Sequence, residues 1–377
     1  MGKNRKTVAV IGGGAGGLCA AIAAAEAGAS AVIYEQSSRV GRKLLKTGNG
    51  RCNLSHDPVY RTDYNHPDFV GAVLERWDNA ALLDFFASLG LLTVTDGEGR
   101  CYPLSDTASS VLDVLRLRCA ELGVEERCGR ELRSLGQRRG RWVLRFADGE
   151  EAECDRVILA SGGGSTLAKE AGHRLVPFSP ILCPLRTETA PIRGLSGLRA
   201  RAAVTLLRSG EAIYTERGEV LFRDYGLSGI VILNLSRLAR TGDVISLNLM
   251  PGWDAEQLRA LLAARMDRGS ELFTGIFHRR IGEALLRQAG GTELSALLSA
   301  VTDLRVKVEG CGDAANAQVT RGGAAVEEFD PLTLQSRLRE GLYCIGEALD
   351  IDGKCGGYNL HWAFASGLTA GRSAAND

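Results

Sequence analysis

The sequence predicts an α/β fold: a Rossmann-like nucleotide-binding domain assembled from both ends of the chain and interrupted by an insert. Three observations carry this reading. A short β-branched run, Thr7–Ile11, leads directly into Gly12-x-Gly14-x-x-Gly17 and an Ala-rich helix. A second strand, glycine loop and helix stand at the other end, from Gly341 to about Arg372. Between these ends, after Pro177, the texture shifts to short alternating segments and then to a helical stretch.

In chain order, Thr7–Ile11 reads as a parallel strand buried on both faces. The helix after it runs to about Ala27 and is ended by Gly28. Residues 31–34 form a second strand with Glu35 at its carboxyl end, completing a β-α-β unit. Residues 41–53 are polar, basic and glycine-rich, a loop with a short helical start. Helices are expected at 68–89 and 109–122, and 142–146 alternates so as to pair across a turn at 136–140. Residues 156–160 are another buried strand, ending in Ser161-Gly162-Gly163-Gly164. Segments 202–207, 219–222 and 244–249 indicate a small antiparallel sheet or barrel. Residues 254–302 follow a helical pattern, 305–309 return as strand, and a closing helix is expected at 360–372. The expected domains are 1–180 and 323–377 for nucleotide binding, 181–250 and 303–322 for the inserted β domain, and 251–302 for a helical insert.

Each glycine of the first motif has a task. Gly12 permits the tight strand-to-helix turn, Gly14 lets a pyrophosphate approach the backbone, and Gly17 lets helix and sheet pack closely. The N–H groups at the helix start and the helix dipole then face the phosphates. Glu35 stands about 20 residues after the motif, where an acid accepts hydrogen bonds from an adenosine ribose and opposes a 2′-phosphate. This much does not separate NAD from FAD. The second passage does: a strand ends in Gly346-Glu347, and a loop with Gly356, Gly357, Tyr358 and Asn359 opens another helix. Adjacent glycines there let the backbone approach a flat ring, and the positive helix end stabilises an electron-rich reduced flavin. The competing reading, a calcium loop at Asp350-x-Asp352-Gly353, lacks the full ligand pattern.

Composition excludes several alternatives. Lys plus Arg and Asp plus Glu are 45 each, so net charge gives no reason to expect nucleic acid or an anionic membrane. The local cluster Arg138, Arg139 and Arg141 reads as the solvated end of a hairpin. No signal peptide, myristoylation pattern or bilayer-length apolar run is found, which makes the cytoplasm the expected compartment. The 10 cysteines include no CxxC pair and the five histidines have no metal-like spacing, so no metal is expected and most thiols read as buried and reduced. Cys52 and Cys355 lie beside the glycine-rich segments.

The runs GRKLLKTGNGRCN (41–53) and GLYCIGEALDIDGKCGGYNLHWAFASG (341–367) resemble signatures of the bacterial BaiN/YhiN-like flavoproteins, also called the aminoacetone-oxidase family of FAD-binding enzymes. VILASGG (157–163), YGLSGI (225–230) and TRGGA (320–324) support the resemblance in the same order along nearly the whole chain. It implies one glutathione-reductase-like, two-motif FAD-binding Rossmann domain with an inserted β-barrel and a small helical domain. It places FAD against Gly12, Gly14, Ala15, Gly17, Glu35, Lys43, Asn53, Gly346, Glu347, Gly357, Tyr358 and Asn359, with a backbone contact from Leu132 to the adenine. The chain departs from the common pattern at YGLSGI, where many relatives have His before the Gly and Pro in place of Ile230. It also departs at Leu334-Gln335, where Met-Glu is frequent, and at His361, where Gln is frequent. The first departure lies in the insert and bears on substrate choice.

No second strand–GxGxxG–helix unit exists for a dedicated NAD(P)H domain, so a nicotinamide would visit the flavin face only transiently as hydride donor. Candidate catalytic residues are Tyr358 as a proton donor, Arg51 and Arg321 as anchors for an anionic substrate group, and Tyr225 on the insert side of a pocket. The expected function is an NAD(P)H-driven, FAD-dependent ene-reductase acting on a small organic substrate of the 3-oxo-ene steroid or bile-acid class. The alternatives are an oxidase of an aminoacetone-type amine and a non-catalytic flavin-binding regulator.

Overall fold

The computed structural model describes residues 5–312 and 317–376. Residues 1–4, 313–316 and 377, which fall within the expected domains 1–180, 303–322 and 323–377, lie outside the described residues. The chain divides into two compact units, Met1–Ser179 with Val319–Asp377, and Pro180–Gln318.

The first unit is built on a five-stranded parallel sheet, in the order Leu342–Cys344, Arg156–Leu159, Thr7–Ile11 (β1), Ser30–Glu35 (β2) and Glu125–Cys128. β1 is central. Its residues pair with β2 from Thr7↔Ser30 to Ile11↔Tyr34, and on the other side Ala9 pairs with Val157. The strand from the far end of the chain joins through Val157↔Leu342, so both chain ends share one sheet. The β-branched TVAVI run suits this position because a central parallel strand is covered on both faces.

The helix after β1, Ala15–Glu26 (α1), is buried along most of its length because it lies between the sheet and the closing helix, Tyr358–Asn376. Small residues bring the two helices into backbone contact. A Cβ on Gly367 would stand 2.3 Å from the Gly16 carbonyl oxygen, and one on Gly371 would stand 2.2 Å from that of Ala20. The closing helix starts two residues before its expected position, at Tyr358. The single helix expected over 68–89 is two, Pro67–Leu74 and Asn79–Ser88. The break follows from Asp78, whose Oδ1 accepts the Ala81 N–H at 2.8 Å as a new N-cap, while Trp77 is buried in the bend. The hairpin Leu132–Arg138 with Arg141–Phe146 turns at Arg139-Gly140, both at positive φ (52° and 77°), and Arg138 pairs with Glu153 at its solvated edge.

The second unit is a closed six-stranded antiparallel barrel. Around it run Leu185–Thr187, Gly226–Ser228, Glu211–Arg223, Arg199–Arg208, Val244–Asn248 and Leu304–Cys311, which returns to the first. Period-two alternation sends Val204, Leu206, Phe222, Ile245, Leu247, Val306 and Val308 inward. Helices Ala255–Ala263, Arg279–Ala289 and Leu294–Thr302 contribute Leu258, Leu285 and Leu297 to that same core.

Candidate functional site

The parallel strands deliver their chemistry at their carboxyl ends, as open α/β sheets do. β1 ends at Ile11. Gly12 follows at φ 112°, and a Cβ there would stand 2.4 Å from the Ala160 carbonyl oxygen, so both the turn and the close approach require glycine. A Cβ on Gly17 would collide with the Gly12 carbonyl oxygen at 1.9 Å, which fixes how tightly α1 seats on the sheet. Gly14, the residue before α1, behaves differently: nothing lies within 4 Å of its Cβ position. Ala15 then opens the helix, half-buried. The turn thus leaves open space over a helix N-terminus, where N–H groups and the dipole favour an anion.

Glu35, at the end of β2, holds this loop. Its Oε2 accepts the Gly13 N–H and its Oε1 accepts the Ser37 N–H, each at 2.8 Å. Each oxygen keeps a lone pair for a further donor such as a ribose hydroxyl. Just beyond, Arg130 donates its backbone N–H to the Glu35 carbonyl, and buried Leu132 follows at the start of its hairpin. At the strand ends on the other side of β1, Glu347 accepts from Lys43 Nζ at 2.6 Å and from the Gly163 N–H at 3.3 Å. Gly346 is fixed by two residues of the closing helix: its N–H reaches Ser366 Oγ and its carbonyl accepts from Trp362 Nε1.

The second glycine loop is wedged against residues 53–56. Gly357 lies at φ 106°, and a Cβ there would stand 2.3 Å from the Ser55 carbonyl and 2.7 Å from Asn53 Oδ1. That Asn53 Oδ1 is buried without a hydrogen-bond partner among the described residues. A buried amide oxygen in that state calls for a donor from outside the chain. Tyr358 is buried, with His56 stacked on its ring at 4.7 Å between centroids and Tyr64 Oη donating to its carbonyl. His56 Nδ1 lies 3.1 Å from the Pro58 carbonyl, which can only accept, so Nδ1 carries the proton and Nε2 is the basic nitrogen. The Asn359 side chain closes the loop on itself, accepting from Gly353 N–H and donating to the carbonyls of Gly353 and Lys354.

The orphaned Asn53 oxygen, the open space at Gly14 over a helix N-terminus, the acid at the end of β2 and a glycine pair at a second helix start together fit FAD. The predicted anchors have carboxylate partners within the protein. Arg51 pairs with Asp106 and lies over the Tyr102 ring. Arg321 forms a fork on the fully buried Asp352, at 2.9 and 3.1 Å. Tyr225 belongs to the barrel unit, its ring packed over Gly312. Among the thiols, burial pushes Cys52 up to about 12, so it carries no thiolate at neutral pH. Sequence reasoning missed His56, whose signal was its place three residues after Asn53, and Gly163, the donor to Glu347.

His361, near the start of the closing helix, is wholly buried, and burial drives its pKa down to about 4. Its Nε2 donates to the Trp77 carbonyl at 2.9 Å, so Nδ1 accepts from Ser55 Oγ at 2.8 Å. The serine then accepts from the Asn79 amide, 2.7 Å away, in the orientation that presents its nitrogen. This network holds Ser55, the residue before His56.

The description "HI0933-like protein Rossmann domain" matches residues 6–373. The chain is 36% identical over 98% of both sequences to the 3-dehydro-bile acid delta(4,6)-reductase of Clostridium scindens. It is 28% identical, over 95% of each, to the ribosomal RNA dihydrouridine synthase of Escherichia coli. Among solved structures, the open conformation of a flavocytochrome c3 fumarate reductase superposes over all of this chain and 79% of the other, with a TM-score of 0.51 at 16% identity.

Proposed function

The chain belongs to the HI0933-like family of FAD-binding Rossmann oxidoreductases, and on that premise we propose that it reduces a carbon–carbon double bond conjugated to a carbonyl, with NAD(P)H as hydride donor. The observation that carries the proposal is the 36% identity, spanning 98% of both chains, to a reductase of an unsaturated 3-oxo bile acid. A cyclic 3-oxo-ene of the steroid or bile-acid class is accordingly the proposed substrate.

Bound FAD supplies the ring that receives and passes on hydride. The rest is the protein's part. The Gly12–Gly17 turn and the start of α1 bind the pyrophosphate, and Glu35 holds the ribose. Lys43, Gly346 and Glu347 line the middle of the cofactor, while Asn53 and the Gly357 backbone hold the ring. Saturating an activated double bond also needs a proton at the carbon next to the carbonyl. We assign that step to His56, which would deliver the proton from Nε2 when the ring is the imidazolium; its Nδ1 on Pro58 and its stacking on Tyr358 support the assignment.

A second reading has its own support. The Escherichia coli relative is named for making dihydrouridine in ribosomal RNA, which is also the reduction of a double bond conjugated to a carbonyl. The balanced charge of this chain, 45 basic against 45 acidic residues, favours a small substrate over a polyanion. Anaerobic mixing of the FAD-loaded protein with NADH or NADPH tests the donor: the yellow absorbance must bleach. Reoxidation by a cyclic enone, and not by uridine in RNA, supports the first reading. Peroxide formation with aminoacetone would instead establish an oxidase.

A further inference from the structure

We propose that Cys183 and Cys311 form a reversible disulfide that staples the inserted unit where its chain begins and ends. The inference stands apart from the flavin chemistry, because both residues lie within Pro180–Gln318. They are 128 residues apart in sequence, yet their sulfurs lie 2.6 Å from each other. The backbone explains why. Leu185 pairs with Cys311 in the barrel ladder, and the Gly312 N–H donates to the Pro184 carbonyl at 2.8 Å. Cys183, just before its strand, is thereby laid across the end of the partner strand. The Cys183 N–H is itself fixed on Ser236 Oγ at 3.3 Å. The Tyr225 ring covers Gly312 so closely that a Cβ there would lie 2.5 Å from it, which holds the next residue after Cys311 in place.

The two thiols differ in access: Cys183 is buried and Cys311 half-buried. Burial also holds the Cys183 thiol above its ordinary range, which suits a sulfur that acts second. The oxidant is a low-molecular-weight disulfide. Cys311, as thiolate, attacks one of its sulfurs, forming a mixed disulfide and releasing one thiol. Cys183 then gives up its proton and attacks the Cys311 sulfur, expelling the second thiol. Two cysteine thiols are oxidised, one small disulfide is reduced to two thiols, and their two protons pass to the leaving groups. The product closes the barrel ladder covalently at Leu185↔Cys311.

The test uses the full chain with FAD bound, freed of reductant and exposed to oxidised glutathione. After unfolding without reductant, iodoacetamide labelling is expected to fall by two of the 10 cysteines. A non-reduced peptide map is expected to show residues 183 and 311 joined, with no glutathione attached, and dithiothreitol to restore both labels. C183S is expected to retain one glutathione on Cys311, because the second thiol is gone. Full labelling of both cysteines in the treated wild type, or a stable glutathione adduct on its Cys311, overturns the proposal. Should C183S fail to fold, the wild-type peptide map decides alone.

Discussion

His361 makes the protein acid-sensitive in a way one substitution should remove. In the unfolded chain its pKa lies near 6.5, and in the fold burial holds it at about 4. The folded state therefore binds the proton less well than the unfolded state. Stability attributable to this residue is whole above pH 6.5 and falls as pH drops from there, reaching its full loss below pH 4. The linkage relation gives a loss of about 1.4 kcal/mol at pH 5.5 and about 2.6 kcal/mol at pH 4.5. The hydrogen bond to Asp350 raises His66, an effect of opposite sign. The comparison is therefore made against H361Q, since a glutamine amide can meet both Ser55 and the Trp77 carbonyl without titrating. Urea unfolding of the two proteins at pH 7.5, 5.5 and 4.5 should show wild type falling away from H361Q by those amounts. If both lose stability in parallel, His361 is not held neutral by burial and the reasoning fails.

Three further outcomes follow from the same structure. G17V places a side chain where even a Cβ meets the Gly12 carbonyl at 1.9 Å, so the purified protein should lose its flavin absorbance. H56N should leave flavin bleaching by NAD(P)H unchanged while lowering turnover on an enone by about 100-fold, the usual size of a lost general acid; equal slowing of both steps would argue for a merely structural role. R321M removes the guanidinium fork on Asp352, which is 0% exposed, and unfolding should show a loss of about 3–5 kcal/mol with little change in cofactor affinity.

The elements that announce themselves locally are legible in the sequence. Thr7–Ile11 is a strand because its residues are β-branched and apolar on both faces, and the turn after it needs glycine wherever it occurs. The barrel strands carry their own period of two. The break between the helices Pro67–Leu74 and Asn79–Ser88 was hidden because the apolar pattern runs through it, and only a side-chain cap at Asp78 decides the outcome. Arg321 and Arg51 look like anion anchors from composition. Their partners, Asp352 and Asp106, are 31 and 55 residues away and no periodicity connects them.

By itself the sequence determined the central strand, the glycine turn after it, the acid after β2 and the second glycine loop, because each depends on residues within a few positions of one another. The tertiary structure alone decided what faces what. It set Asn53 against Gly357, His56 on Tyr358, Lys43 on Glu347 and Cys183 beside Cys311. Those meetings depend on how two distant chain ends share one sheet and how a barrel closes on its first strand, and both are products of packing that no local pattern encodes.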